Sequence, residues 1–92
     1  KKLTENRLTE VKAALSAKYR TVDLGGEKFF VATDGAFFRV GAFPGAMALV
    51  IEYADTEQEA RQNALEEGGR FYLDETTLDE MLRLMIAEIE RC

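Results

Sequence analysis

The hydrophobic positions near the N-terminus recur at intervals of three and four residues. From about Thr4 to Tyr19 the apolar stripe consists of Leu8, Val11, Leu15 and Tyr19. This spacing predicts an amphipathic helix with one face directed towards a core. Glu5 lies near the positive end of its dipole and Lys18 near the negative end, which favours the helix further.

From Thr21 onwards the period changes to two, which is typical of half-buried strands. Four short runs follow, at Thr21–Leu24, Glu27–Thr33, Ala36–Phe43 and Ala46–Tyr53. Each run ends at a turn signal, namely Gly25-Gly26, Asp34-Gly35 and Pro44-Gly45 for the first three. Asp-Gly is among the strongest hairpin signals, whereas Pro-Gly favours a type II turn and predicts a looser connection. The pattern therefore predicts an antiparallel meander of three to four strands.

The three turns can be tested against one another through the registers they impose. Two-residue loops set Val31 opposite Phe38, Val40 opposite Leu49, and Val22 opposite Phe29. The apolar face then contains Val22, Leu24, Phe29, Val31, Phe38, Val40, Ala42, Met47, Leu49, Ile51 and Tyr53. The mixed face contains Lys28, Phe30, Ala32, Phe37, Arg39, Ala48, Val50 and Glu52. Because a slip of one residue would exchange the faces, the agreement of the three turns favours the meander.

The C-terminal part carries two capping boxes. Thr56 with Glu59 predicts a helix that runs to about Glu67, with Gly68-Gly69 as its stop. Residues 70–74 then form a short edge strand or an extended link. Thr77 with Glu80 begins a last helix with a wide apolar arc, formed by Leu78, Met81, Leu82, Leu84, Met85, Ile86 and Ile89. We therefore expect one α+β domain over residues 1–92, with both C-terminal helices packed on one sheet face.

The composition restricts the chemistry available to the chain. It contains no histidine and one cysteine, Cys92, so Ser-His or Cys-His catalysis and an internal disulfide are excluded. The paired acids 66–67, 74–75 and 79–80 lack the spacing of a calcium loop. No catalytic, cofactor-binding or metal-ligating residue is predicted. We expect Cys92 to be an exposed, unreactive thiol and the chain to be cytoplasmic.

The charge is divided unevenly along the chain. The formal net charge is −5. Residues 1–49 carry eight Lys or Arg and five Asp or Glu, whereas residues 50–92 carry four and twelve. An acidic C-terminal half makes nucleic acid an unlikely partner, because phosphate binding requires a basic surface. Apolar runs are too short for a membrane span.

Two features predict a contact surface, and each has a structural alternative. The candidate interface residues are Lys28, Phe30, Phe37, Arg39, Val50, Met81 and Met85. The mixed sheet face is either covered by a helix as ordinary core, or used as a protein interface, or used for base stacking. The arc on the last helix is either fully buried or a dimerisation seam.

We therefore expect a non-enzymatic protein–protein interaction module of the small bacterial or phage type, acting as a homodimer. One variant is an inhibitor that presents an acidic surface to a basic groove. The residues of that surface are Glu57, Glu59, Glu66, Glu67, Asp79 and Glu80. The alternative is a small-ligand-binding or regulatory domain with a pocket between the sheet and the last helix. An enzyme would require a carboxylate with a raised pKa in a cleft.

Overall fold

A computed structural model describes residues 2–43 and 45–91, apart from the side chains of Glu27 and Lys28. The predictions for the Pro44 turn position, for the Lys28 side chain and for Cys92 lie outside these residues. The elements are α1 (Lys2–Lys18), β1 (Arg20–Leu24), β2 (Glu27–Ala32), β3 (Phe37–Ala42), β4 (Ala48–Ala54), α2 (Glu57–Arg61), β5 (Glu66–Tyr72) and α3 (Leu78–Glu90). The predicted α+β class is confirmed, with five antiparallel strands in sequential order instead of three to four.

The main core lies between the first face of the sheet and the helices α1 and α3. Its buried members are Val11, Leu15, Val31, Ala36, Phe38, Val40, Leu49, Ile51, Met81, Met85 and Ile89. The stripe predicted for α1 is confirmed, because Val11 and Leu15 are its buried apolar positions. The alternation of β2, β3 and β4 places their core residues on the same side of the sheet.

The hairpin between β2 and β3 has the predicted register. Val31 pairs with Phe38, and the amide of Thr33 donates to the carbonyl of Ala36 at 3.0 Å. The ladder ends at the Val31–Phe38 pair, so the two strands diverge towards Val40. This divergence leaves an opening beside β3 that contributes to the site described below.

The predicted register between β3 and β4 is wrong by two residues. Val40 pairs with Ile51, not Leu49, because the Phe43 amide donates to the carbonyl of Ala48, so that four residues and not two separate the last paired positions. Gly45 has φ +78°, a conformation that glycine adopts without steric cost. A shift by two keeps every side chain on its predicted face. The face assignment of β4 was therefore correct although the loop was longer than predicted.

The register between β1 and β2 differs by one residue. Val22 pairs with Phe30 instead of Phe29, whereas Leu24 still pairs with Glu27. Three steps along β2 thus oppose two steps along β1, which is a β-bulge. The bulge transfers Val22 and Leu24 from the predicted apolar face to the opposite, second face of the sheet.

The second capped helix is much shorter than predicted. Both predicted N-caps form, since Glu59 and Glu80 donate backbone amides to the hydroxyls of Thr56 and Thr77 at 3.1 and 3.2 Å. However, α2 ends at Arg61, Asn63 adopts φ +59°, and the chain returns as β5. Few apolar residues follow Ala60, so continued helix would bury little, whereas β5 forms a full ladder with β4.

Helix α2 covers part of the second face. Ala60 packs there with Leu24, Phe30 and Ala54, and partly buried Val22, Phe37 and Leu65 surround them. The two C-terminal helices therefore lie against opposite faces of the sheet, contrary to the prediction of one shared face. Within residues 2–43 and 45–91, none of the helices has the length and apolar character needed to cross a membrane.

Candidate protein-interaction surface

Most of the predicted interface residues are enclosed by the chain itself. Phe30, Met81 and Met85 have no exposed surface, and Val50 is 8% exposed. Phe30 is covered by α2, which answers the question of what lies on this part of the second face. Phe37 and Arg39 are half-buried at the border of the covered region. Among the described residues of the second face, this border and the adjoining uncovered region remain accessible to a partner.

The predicted acidic surface is divided between distant elements. Glu57 and Glu59 lie on α2 against the second face, whereas Asp79 and Glu80 begin α3 on the first face. Glu66 and Glu67 lie at the start of β5. The other end of this strand, which leads towards α3, is roughly 20 Å away. All six side chains are exposed. They therefore form separate acidic groups and not one continuous patch.

The uncovered part of the second face is a small grid of side chains, which we call the open face. It comprises three rows across β3, β4 and β5: Arg39, Glu52 and Glu67; Gly41, Val50 and Arg70; and Phe43, Ala48 and Tyr72. Cross-strand neighbours on one face of an antiparallel sheet lie close enough to interact. The rows therefore bring a polar end and an aromatic end together around Val50.

Arg70 organises the aromatic end of the open face. Its guanidinium lies 3.8 Å from the centre of the Phe43 ring, so the side chain reaches from β5 across β4 to the end of β3. This path passes above Ala48, which has no exposed surface although no helix covers it. Hydrogen bonding to Tyr72 and then to Glu67 raises the pKa of Arg70 above its usual value. The cation is held in place by three neighbours, which preorganises the surface.

The polar end is fixed by an ion pair. Arg39 donates to Glu52 at 2.8 Å, and both side chains are largely buried. The guanidinium also lies 5.9 Å from the centre of the Phe30 ring, at the border of the region covered by α2. Such a partly buried pair is more rigid than an exposed one, because fewer conformers are open to each side chain.

Gly41 produces a notch between these two ends. A Cβ atom placed on Gly41 would meet nothing within 4 Å. The resulting cavity, of about 420 Å³, is lined among others by Arg39, Phe43, Val50 and Lys12. Lys12 belongs to α1 and reaches the cavity beside the divergence of β2 from β3. The notch thus offers an apolar floor with cations and carboxylates at its rim.

Other cavities have less internal structure. One of about 490 Å³ lies between the start of α1 and the β3–β4 connection, lined by Thr4, Phe43 and Met47 among others. Exposed apolar side chains near it are Leu3 (64%) and Met47 (44%). Met81 and Met85 are fully enclosed by the main core, whereas a cavity of about 330 Å³ between the sheet and α3 is lined by Gly69, Phe71 and Leu84 among others.

The acidic side chains bear on possible metal binding and acid–base chemistry. Within residues 2–43 and 45–91 no cluster of three or more His, Cys, Asp or Glu could hold a metal ion. The pKa of Glu80 is lowered by its hydrogen bond with Arg83. A carboxylate acting as a general acid near neutral pH requires the opposite shift.

Sequence reasoning missed the two residues that define the aromatic end. Arg70 fell in a segment predicted only as an edge strand or link, and Phe43 fell at a strand end. Their contact depends on the pairing of β4 with β5, which the sequence did not predict. The spacing of Arg70 and Tyr72 by two was the available signal, since such residues share a face once the segment is a strand.

Comparison with known proteins adds no relative. Neither a protein-family model, nor a curated protein, nor a solved structure matches this chain.

Proposed function

We propose that this chain is a non-enzymatic protein–protein interaction module that receives its partner on the open face. The observation that carries the proposal is the Arg70 guanidinium stacked on Phe43 beside the notch at Gly41. Arginine and aromatic residues are enriched in protein interfaces and among the residues that dominate binding energy. Fixed side chains also lose less entropy when a partner binds.

The size of the open face indicates what kind of segment would bind. Three strands and three rows cover roughly 10 Å by 13 Å. A standard interface buries about 800 Å² on each partner. The open face therefore suits a protruding partner segment that inserts an apolar or aromatic side chain into the notch, with further contacts on the surrounding rim.

The charge of the chain favours a basic partner. The net charge is −5, and exposed acids lie on α2 and at the start of β5. This negative charge would accelerate association with a basic surface and make it sensitive to salt. An inhibitor that occupies a basic groove is one form of this proposal. Self-association and a cytoplasmic location, where a lone cysteine stays reduced, belong to the same proposal.

The test compares variants of the notch with a matched control. Gly41→Leu fills the notch, Phe43→Ala removes the ring beneath Arg70, and Ala13→Leu adds the same apolar bulk to an exposed position on α1. Proteins captured from the native host by the unaltered chain are identified, and the purified partner is titrated calorimetrically. We expect Gly41→Leu and Phe43→Ala to weaken binding by about thirtyfold, as for a residue that dominates an interface, and Ala13→Leu to have no effect.

The result that contradicts the proposal is equally specific. A captured partner whose affinity is the same for the unaltered chain, Gly41→Leu and Phe43→Ala does not bind at the open face. Equal losses for Ala13→Leu would show that general surface bulk, and not the notch, decides binding. Circular dichroism of each variant establishes that the fold is retained.

A further inference from the structure

The free edge of β5 carries a second contact surface. In the described part of the chain β5 is the last strand of the sheet and pairs only with β4. The amide of Leu73 donates to the carbonyl of Met47 at 2.9 Å. Because alternate residues of an antiparallel strand direct their backbone groups to opposite sides, Phe71 and Gly69 face β4, and Arg70 and Tyr72 direct theirs away from the sheet.

We infer that two copies of the chain pair antiparallel along β5, which joins the two sheets into one. In antiparallel pairing about a twofold axis perpendicular to the sheet, two residues that lie opposite each other must direct their side chains to the same face of the sheet. Glu67 pairs with Glu52 and Arg70 with Val50, and the bulge between them places both side chains on the second face. When Glu67 of one copy lies opposite Arg70 of the second copy, the twofold axis also places Arg70 of the first copy opposite Glu67 of the second.

Charge complementarity selects this register. Glu67 and Arg70 already form an ion pair at 3.1 Å within one chain. Across the axis, Glu67 of each copy would lie opposite Arg70 of the other, so that four charges alternate in sign. To complete these pairs the Arg70 guanidinium would leave the Phe43 ring, from which it lies 3.8 Å, and turn towards the edge of β5. Pairing centred on Arg70 would place two cations opposite each other, and pairing centred on Glu66 and Glu67 would do the same with carboxylates. Both registers are unfavourable, because like charges that lie opposite each other are destabilising.

An apolar surface on α3 overhangs the same edge. Leu82 and Ile86 pack against the main core, whereas Leu84 and Ala87 line a cavity of about 330 Å³ between α3 and β5, with the charged Glu88 and Arg91 at its border. Leu84 is half-buried and Ala87 is exposed. The second copy would bring its own α3 beside this cavity and remove these side chains from water, which accounts for the unusual width of the apolar arc on α3.

Charged residues and a bulge on an edge strand can also serve to prevent pairing. That role requires that the charges repel a second copy. The sequence Glu67-Gly68-Gly69-Arg70 instead presents opposite signs to itself when reversed, and the side chains of Glu88 and Phe71 lie beside the two central glycines. The edge is therefore protected against other registers and strands, while it remains compatible with one twofold arrangement.

Charge exchange tests the arrangement directly. Sedimentation velocity over a range of concentrations should show a dimer of the unaltered chain. Glu67→Arg and Arg70→Glu should each weaken dimerisation by about tenfold or more, since close charge pairs at interfaces are strongly coupled. The double variant, with both exchanges, should recover dimerisation because the alternation of signs is restored. Glu10→Arg, a reversal at an exposed position on α1, is the control and should leave the dimer unchanged.

Two results would overturn the inference: an unaltered chain that sediments as a monomer at its highest soluble concentration, or a double variant no better than either single one. Hydrogen exchange at the amides of Arg70 and Tyr72 should slow as concentration rises, and unchanged exchange in a dimer would place the interface elsewhere. The inference rests on the proposed function only in that the chain acts by protein contacts. The two fail separately, because Phe43→Ala should abolish partner binding and leave the dimer intact.

Discussion

Tyr19 joins the C-terminal ends of α1 and α3. Its hydroxyl donates to the Glu90 carboxylate at 2.7 Å, and Lys18 lies 3.8 Å from the same carboxylate. Partial burial, the hydrogen bond and the negative charge of Glu90 together raise the pKa of Tyr19 from 10.0 to about 12. Deprotonation of this phenol therefore opposes the folded state.

The raised pKa of Tyr19 predicts a loss of stability at high pH. Between the unfolded value of 10.0 and the folded value of about 12, the folded chain binds more protons than the unfolded chain. The free energy of unfolding must then decrease as the pH rises through this interval. Urea unfolding at several pH values measures the decrease. Tyr19→Phe should flatten the curve in this window, and an unchanged slope would show that other groups are responsible.

Glu90→Gln separates the two contributions of the neighbour. The amide oxygen of glutamine still accepts a hydrogen bond, but the negative charge is gone. The pKa of Tyr19 should move back towards 10.0, although burial, its largest cause, keeps it above that value. Ultraviolet absorbance of the tyrosinate, compared with Tyr19→Phe to subtract Tyr53 and Tyr72, reports the titration. A pKa that stays at about 12 would mean that the charge of Glu90 does not contribute and that burial and the hydrogen bond set the value.

At the scale of elements, the local signals were read correctly and the connection lengths were not. Thr77 with Glu80 began α3 where the capping box predicted, and Val31 met Phe38 through the Asp-Gly turn. Both depend on residues close in sequence, three positions apart for Thr77 and Glu80 and seven for Val31 and Phe38. The β3–β4 register depended on the length of the connection after Phe43, which no short-range pattern specifies. The strand β5 depended on β4, a neighbour distant in sequence.

Asn63 marks the point where the prediction for α2 failed. The carbonyls of Glu59 and Ala60 accept the amides of Ala64 and Asn63, so the helix closes there. Asn63 has a φ of +59°, which lies in the left-handed region, and asparagine tolerates this conformation better than most residues. Asparagine is a less common helix stop than glycine, and the pair Gly68-Gly69 offered a stronger but false signal.

The conformation of Asn63 predicts opposite effects for two substitutions. Asn63→Gly should leave the stability unchanged or raise it slightly, because glycine has no Cβ to strain. Asn63→Val should lower the free energy of unfolding by roughly 1–2 kcal/mol, the cost of a left-handed β-branched residue. Chemical denaturation of both variants provides the measurement. Equal stabilities would show that the turn relaxes to a right-handed conformation, with α2 extended as the capping box alone suggested.

At the scale of the molecule, the sheet separates two layers of unequal depth. The first face supports α1 and α3 over the main core, whereas the second face supports only the five residues of α2. The mixed pattern on the second face was visible in the sequence, but the identity of its cover was not. The single turn of helix that buries Phe30 leaves the remainder of that face open. The candidate site exists because α2 is too short to cover both Phe30 and the open face.

The two layers predict a test of whether the chain unfolds as one unit. Phe30→Ala in the second layer should cost about 3–5 kcal/mol and Met85→Ala in the main core about 2–5 kcal/mol. Either loss is a large fraction of the ~5–15 kcal/mol typical of a small domain. Because β2 carries Phe30 towards α2 and Val31 towards the main core, both substitutions should lower the midpoint of one shared transition. Circular dichroism and tyrosine fluorescence should then give coincident curves for each variant. An early transition confined to Phe30→Ala would mean that α2 detaches on its own and leaves the second face exposed.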